Sequence, residues 1–179
     1  MADLLAGLAG SLLIAGAAYW NKSLSNSGFA AAVLLGTLMY AAGSLPWFGT
    51  LIAFFITSSA LSKWKSRRKE EAENGYAKSG RRDAGQVLAN GGLGLALCLG
   101  HWLIPHPAWW AAFIGVMAAV TADTWATEIG GVSRTTPRSI VSLRTVEPGT
   151  SGGVTPLGLT ASAAGGLFIG IVAWLLLLL

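Results

Sequence analysis

Two carboxylates, five residues apart, offer the clearest chemistry in this sequence. Asp123 and Glu128 lie in the motif ADTWATEIG, at the end of a long apolar segment. A charge at the centre of a bilayer costs about 2.5–3.5 kcal/mol on insertion scales, and ionisable residues in such segments are usually functional. Carboxylate oxygens suit Mg²⁺, which takes one or two of them together with substrate phosphates. The motif therefore predicts a catalytic magnesium site, with helix capping or a structural ion pair as the alternative.

A glycine-rich segment, EPGTSGGVTP, follows the carboxylates and leads into an apolar helix. Its candidate ligand-binding residues are Gly149, Thr150, Ser151, Gly152 and Gly153. Free backbone N–H groups at a helix N-terminus favour an anion, and glycine lacks the Cβ that would keep a phosphate away. The Gly-Lys-Ser/Thr ending of a P-loop is absent. The segment is predicted to bind phosphate groups, with a plain connecting loop as the alternative.

Basic and amide side chains form a third group at the ends of the apolar segments. We favour ligand contact for three arginines, Arg81, Arg138 and Arg144. Guanidinium groups can bind phosphate through two parallel hydrogen bonds. Gln86 and Asn90 are four residues apart, so they share a helix face and should point into a bundle. The alternative is that basic residues fix topology and bind lipid head groups, which we prefer for the run 63–69.

The composition indicates a membrane protein. Hydrophobic residues make up 53% of the 179 residues and charged residues 11%, against about 25% charged in a soluble domain. The single cysteine, Cys98, excludes an internal disulfide and a cysteine-based zinc site. His101 and His106 are interpreted as interfacial residues. No Lys or Arg precedes the first apolar run, so we expect a retained helix rather than a secretory signal peptide.

Apolar runs of spanning length predict an all-α fold, a polytopic transmembrane helical bundle of about six spans in one domain, 1–179. The predicted spans are 4–20, 28–44, 46–62, 86–104, 107–127 and 154–179. The second and third runs, which meet at a break near Pro46, could also form one re-entrant hairpin.

Capping signals support these boundaries. Asp83 and Gln86 predict a capping box at the fourth span, and Thr155 followed by Pro156 predicts the start of the last. A helix stop is expected at Asn74-Gly75, after the basic run 63–73. Small residues recur every four positions, a spacing that lets helices approach closely in lipid or that arises by chance. They are Gly28/Ala32/Gly36, Ala111/Gly115/Ala119 and Gly166/Gly170.

The distribution of positive charge predicts the orientation. All 12 Lys and Arg residues fall in the first, third and fifth connections, which include the loops 63–85 and 128–153. The positive-inside rule places these connections in the cytoplasm. We therefore expect the N-terminus outside and the functional site at the cytoplasmic face of a bacterial or archaeal cell membrane.

The same residues carry a resemblance to a known family over about 21–166. The matching stretches are Ser27-Gly28, 82–91, 122–130, and 149–154 with Gly158. In them the chain resembles the membrane family that includes plant phytyl-phosphate kinase of the vitamin E pathway and uncharacterised bacterial and archaeal members. Members usually continue with further apolar segments and another Asp-containing motif. We expect this chain to be a natural short form or a truncated one.

This resemblance implies a CTP-dependent kinase that phosphorylates a prenyl monophosphate, of the phytyl or geranylgeranyl type, to the diphosphate. Asp123 and Glu128 would hold Mg²⁺, and the CTP would lie against the glycine-rich segment, Arg138 and Arg144. The residues expected to bind the prenyl phosphate, whose tail would lie between helices, are Lys22, Arg82, Gln86 and Asn90. The family is also similar to polyprenol kinases and membrane cytidylyltransferases.

Other functions remain open from the sequence. A membrane cytidylyltransferase acting on a lipid phosphate would use the same residues but attack the α-phosphate. A transporter would use Asp123 as its coupling site, although transporters usually place polar residues on several helices near the midplane. A structural or assembly role is the third alternative. We expect the lipid bilayer, nucleotide and prenyl phosphate as partners and no nucleic acid. The oligomeric state, a homo-oligomer included, is left open.

The charge distribution generates a topology test. With Cys98 replaced by Ala, a cysteine introduced at Ser133 should react with a polar thiol reagent only after the membrane is permeabilised. A cysteine at Ser44 should react in sealed cells. Labelling of the Ser133 variant in sealed cells would contradict both the orientation and the cytoplasmic placement of the site.

Overall fold

A computed structural model describes residues 1–64 and 81–179, which fold into a helical bundle. Its helices are α1 (Ala2–Trp20), α2 (Asn26–Lys63), α3 (Ala84–Leu103), α4 (Pro107–Gly130) and α5 (Pro156–Leu176). Two short antiparallel strands, β1 (Arg138–Ser139) and β2 (Gly153–Val154), lie in the loop between α4 and α5. The predicted all-helical class is confirmed.

Three of these helices, α1, α2 and α5, are long and apolar enough to cross a membrane by length and composition. The count of six spans stays a prediction. The helix stop proposed at Asn74-Gly75 and most of the basic run 63–73 lie outside the described residues.

Helix α2 folds back on itself. Ser44 has φ 62° and ψ −163°, which is not a helical conformation, and Pro46 follows within the same element. A straight helix of 38 residues would extend for about 57 Å. Instead, Nζ of Lys63, the last residue of α2, donates to the carbonyl oxygen of Asn21, which precedes the first turn of α2. The two halves are therefore antiparallel, and the predicted break near Pro46 is observed.

Both predicted helix starts are confirmed. Asp83 Oδ1 accepts from the backbone N–H of Gln86 at 2.9 Å, and Gln86 Oε1 accepts from the N–H of Asp83 at 3.3 Å, which completes the capping box of α3. At α5, Thr155 Oγ1 accepts from the N–H of Gly158 at 3.0 Å, and Pro156 occupies the first turn. These caps fix where the polar connections end and the apolar helices begin.

The core lies between the two halves of α2 and helices α3 and α4. It contains Met39, Phe113 and Met117, each fully buried, together with Trp47. The rings of Trp47 and Phe113 have centroids 4.5 Å apart. A smaller cluster of Ala15, Ala18 and Leu24 joins α1 to this core.

The small residues have different environments in the bundle. A Cβ added at Gly36 would lie 2.5 Å from Ser11 Oγ, so α1 and α2 approach closely there. A Cβ at Gly130 would lie 3.1 Å from the Cα of Gly158, which marks a close approach of α4 and α5. At Gly115, by contrast, no atom of the described chain lies within 4 Å of the added Cβ. Of the predicted small-residue repeats, the one that contains Gly36 brings two helices together, whereas Gly166 and Gly170, like Gly115, have no described atom within 4 Å of an added Cβ.

The backbone of Ser44 generates a stability prediction. Its φ and ψ fall in a region that only glycine populates readily, at a cost of about 1–3 kcal/mol for other residues. Ser44→Gly should therefore stabilise the protein by about 1 kcal/mol, after allowing for the greater freedom of glycine in the unfolded chain. Thermal unfolding in detergent measures this, with Ser44→Ala as the control that keeps the Cβ. An equal or lower melting temperature for Ser44→Gly would contradict the conformation.

Candidate functional site

The segment around Arg82 is fixed by its backbone. The Arg82 N–H donates to the carbonyl oxygen of Ser23 at 2.9 Å, and the N–H of Ser25 donates to the Arg82 carbonyl oxygen at 3.0 Å. Leu24, fully buried between these serines, forms a parallel bridge with Arg82. The turn between α1 and α2 therefore holds the residue that precedes the cap of α3.

Gly28 makes this contact possible. A Cβ on Gly28 would clash with the carbonyl oxygen of Arg82. Ser27 Oγ accepts from the backbone N–H of Ala84 at 3.4 Å, which adds a second connection to the start of α3. The Ser27-Gly28 and Arg82 stretches that carry the family resemblance thus meet in space.

The side chain of Arg82 reaches across to the end of α2. Its Nη1 donates to Ser59 Oγ at 2.7 Å, and its Nη2 lies 3.4 Å from Ser62 Oγ. Its guanidinium carbon lies 5.7 Å from the ring centroid of Phe55, within reach of a cation–π contact. Two hydroxyl groups and an aromatic face therefore hold the guanidinium in one place.

Glu128 completes this polar cluster from α4. Ser62 Oγ donates a short hydrogen bond to Glu128 Oε1. Burial lowers the pKa of the Arg82 guanidinium below its ordinary value, and the nearby Glu128 carboxylate opposes that shift by favouring the charged form. Arginine remains protonated in proteins despite such shifts. The cluster therefore places a cation beside an anion, at the end of the bundle where the two ends of α2 lie.

Arg82 also borders an apolar cleft. A partly open cleft with a cavity volume of about 50 Å³ lies between α1, both halves of α2, and α3. Among the described residues that line it, Arg82 alone is charged. The others are Ser11, Ile14, Ala15, Ala32, Leu35, Leu51, Ile52, Phe54, Phe55, Val87, Asn90 and Gly91. The cleft thus combines a long apolar wall with a cation and, on α3, the amide of Asn90.

The structure separates the two predicted metal ligands. Glu128 is half-buried and contacts α2, whereas the side chain of Asp123 is exposed. Residues five apart in a helix are rotated by about 140° from one another. Within residues 1–64 and 81–179, no group of three or more His, Cys, Asp or Glu could hold a metal ion. A shared Mg²⁺ on the two carboxylates stays a prediction.

The glycine-rich loop has the backbone that its sequence requires. Gly149 has φ 86° and Gly152 has φ 75°, conformations that side chains disfavour. Some amides are already engaged within the loop: Thr150 N–H donates to the Glu147 carbonyl at 3.2 Å, and Gly153 N–H donates to the Thr150 carbonyl at 2.9 Å. Phosphate binding would therefore use the other amides or require these bonds to open.

The remaining predicted site residues occupy different places. Arg138 and Arg144 are exposed, and their segments are joined where the N–H of Ser139 donates to the Arg144 carbonyl oxygen at 2.9 Å. Lys22 is exposed at the end of α1 with φ 57°. Gln86 is used in the capping box described above. The structure thus places Glu128 beside Arg82, lines the same cleft with Arg82 and Asn90, and places Arg138 and Arg144 in the loop beyond α4.

Sequence reasoning missed Ser59 and Ser62. They lie three residues apart near the end of an apolar run, so they share a helix face. Two hydroxyl residues on one helix face, at the end of an apolar run, were the signal available in the sequence. Their role depended on the fold of α2, which brings both of its ends to Arg82.

Comparison with known proteins identifies the family of this chain. The sequence profile of the integral membrane family DUF92 matches residues 9–179. This chain belongs to that family. The resemblance stated from the sequence is thereby confirmed, and no solved structure matches the chain with comparable significance.

Relatives occur in plants and archaea. The chain is 34% identical over 175 residues to Protein PGR of Arabidopsis thaliana, covering 90% of this chain and 60% of that protein. It is 28% identical over 163 residues to the uncharacterized membrane protein MJ0933 of Methanocaldococcus jannaschii, covering 87% and 64%. Protein VTE6, chloroplastic, of Arabidopsis thaliana is 28% identical over 166 residues, covering 88% and 49%. The chain spans less than two thirds of each relative, so their whole-protein activities carry over only as proposals.

The contact between Gly28 and Arg82 generates a packing prediction. Gly28→Ala should destabilise the protein by about 1–3 kcal/mol, because the added methyl group must displace the Arg82 backbone. Thermal unfolding in detergent provides the measurement. Gly16→Ala is the matched control: it lies in α1 with no atom of the described chain within 4 Å of the added Cβ, and should be neutral or slightly stabilising. Equal effects of the two substitutions would contradict the close approach.

Proposed function

We propose that this protein is a prenyl-phosphate kinase, which transfers a phosphoryl group from CTP to a prenyl monophosphate at the cytoplasmic membrane face. The observation that carries the proposal is the apolar cleft that ends at Arg82. Similarity to Protein VTE6 supports a place in the prenyl-phosphate kinase family. A lipid monophosphate needs an apolar wall for its tail and a cation for its head, and the cleft offers both.

The acceptor side of the reaction follows from the cleft. A branched hydrocarbon tail would pack against side chains such as Leu35, Leu51 and Phe54. Burial of apolar surface would contribute roughly 25 cal/mol per Å². A guanidinium has five N–H donors, of which Ser59 and Ser62 engage two within the described residues. Donors on Arg82 would bind the phosphate, with Asn90 and, at the rim, Gln86 and Lys22 as further contacts.

The donor side uses the carboxylates and the glycine-rich loop. Carboxylate oxygens suit Mg²⁺, and one or two of them plus phosphate oxygens suffice. Glu128, beside Arg82, and Asp123, on another side of α4, are the residues that would supply them, each one carboxylate. When bound, the metal would neutralise charge on the transferring phosphoryl group. Arg138, Arg144 and the amides of Gly149, Thr150, Ser151, Gly152 and Gly153 would bind the nucleotide.

The chemical step needs positioning rather than proton transfer. A phosphate oxygen of the prenyl monophosphate attacks the γ-phosphorus of CTP, and the bond from that phosphorus to the β–γ bridging oxygen breaks. Prenyl diphosphate and CDP are the products. The attacking oxygen is already ionised near neutral pH, because the second pKa of a phosphate monoester is about 6. Catalysis of such transfers rests on alignment and charge stabilisation, which Arg82 and the carboxylates would supply.

One assay tests the proposal against its alternatives. Purified protein is incubated with Mg²⁺, CTP and geranylgeranyl or phytyl monophosphate, and the products are separated. Prenyl diphosphate plus CDP supports the kinase. A CDP-prenol plus pyrophosphate would instead show a cytidylyltransferase. Binding without any product would contradict both enzymes and favour a carrier or a structural role.

Asp123 provides the sharpest variant for this assay. Asp123→Asn should abolish turnover and leave thermal stability unchanged or slightly improved. Asparagine has nearly the same shape as aspartate, and the side chain at position 123 is exposed, so stability should not fall. The loss of charge removes a hard ligand for the metal, so turnover should be lost. Gly115→Ala, on the same helix and open to the surroundings, is the control. A folded Asp123→Asn protein with near-normal activity at low Mg²⁺ would contradict the assignment.

A further inference from the structure

We infer that Ser62 is a positioning residue that couples binding of the lipid phosphate at Arg82 to binding of the nucleotide and its metal ion at Glu128. This inference rests on the proposed function and adds a cooperative relation between its two substrates. The coupling is carried by one hydroxyl group that lies between a cation and an anion assigned to different substrates.

The hydrogen bonds around Ser62 define the connection. Its Oγ lies 3.4 Å from Arg82 Nη2, which donates to it, and it donates to Glu128 Oε1. It also lies 3.0 Å from the carbonyl oxygen of Ser58, one helical turn earlier. A hydroxyl carries a single hydrogen, so it can serve only one of these acceptors at a time. The carboxylate of Glu128 is a stronger acceptor than the carbonyl and takes the hydrogen in this structure.

Ser59 provides an internal comparison on the same helix. Its Oγ accepts from Arg82 Nη1 at 2.7 Å, so it holds the guanidinium just as directly as Ser62 does. The hydrogen bond to Glu128, however, comes from Ser62. One serine therefore anchors Arg82, and the other connects Arg82 to the carboxylate.

Occupation of Glu128 changes this network. With a cation held by Glu128, the Ser62 hydrogen would be held less strongly by the carboxylate and could turn to the Ser58 carbonyl oxygen within the same helix. Arg82 would then lose the attraction relayed through Ser62 as well as part of the direct charge attraction of Glu128, and would offer its charge to an incoming phosphate. Lipid phosphate on Arg82 must, in turn, strengthen binding at Glu128, because coupling free energies are reciprocal. The result is ordered assembly of both substrates on one site.

Equilibrium binding tests this coupling directly. The affinity for geranylgeranyl monophosphate is measured with and without Mg²⁺ and β,γ-methylene-CTP, a non-transferable analogue. In the wild type the analogue should tighten lipid binding by roughly 5–150-fold, the range typical of coupled sites. Ser62→Ala should lower this ratio several-fold, and the remaining coupling is the direct charge interaction between the two sites. Ser59→Ala should weaken lipid binding in both conditions and keep the ratio.

Further variants exclude a general structural effect. Ser62→Thr retains the hydroxyl and should keep the wild-type affinity ratio. Ser62→Cys carries a thiol, which is a weak donor, and should lower the ratio. The cysteine variant also provides the test if Ser62→Ala does not fold. A wild-type ratio in Ser62→Ala or Ser62→Cys, or equal loss in Ser59→Ala, would overturn the inference. Absence of wild-type turnover in the CTP assay would refute the proposed function instead, so the two failures are distinct.

Discussion

The backbone pairing between Arg82 and the turn at Ser23 and Ser25 is the contact on which the rest of the site depends. It brings the end of α1, the start of α2 and the start of α3 together. It also requires glycine at position 28, where any side chain would collide with the Arg82 carbonyl. With the backbone fixed, the guanidinium reaches the last turns of α2, where it donates to two serines.

The folded-back shape of α2 makes that reach possible. Because its halves are antiparallel, the first and last turns of one helical element lie at the same end of the bundle. An arginine from the following connection can then contact both turns, one through its backbone and one through its side chain. Glu128 arrives at the same region from α4. A cation that is costly to bury thus has hydroxyl, aromatic and carboxylate neighbours.

Much of this arrangement could be predicted from the sequence. The capping box at Asp83 and the Thr155-Pro156 start are local signals, formed by residues within one turn, and both were confirmed. Glu128 stood out as an ionisable residue at the end of an apolar run, and Arg82 was named through the family resemblance. Their proximity could not be predicted, because it depends on how α2 and α4 pack. The exposure of Asp123 could not be predicted either, because spacing along a helix does not show which side contacts a neighbouring helix.

The fold of α2 has a consequence for biogenesis. Arg82, which contacts residues at both ends of this helix, follows it in the chain. A ribosome must therefore release the whole hairpin and the start of α3 before that contact can form. Glu128 emerges later still. The site is assembled in stages during synthesis, and a chain interrupted after α2 would carry the serines without the arginine that they hold.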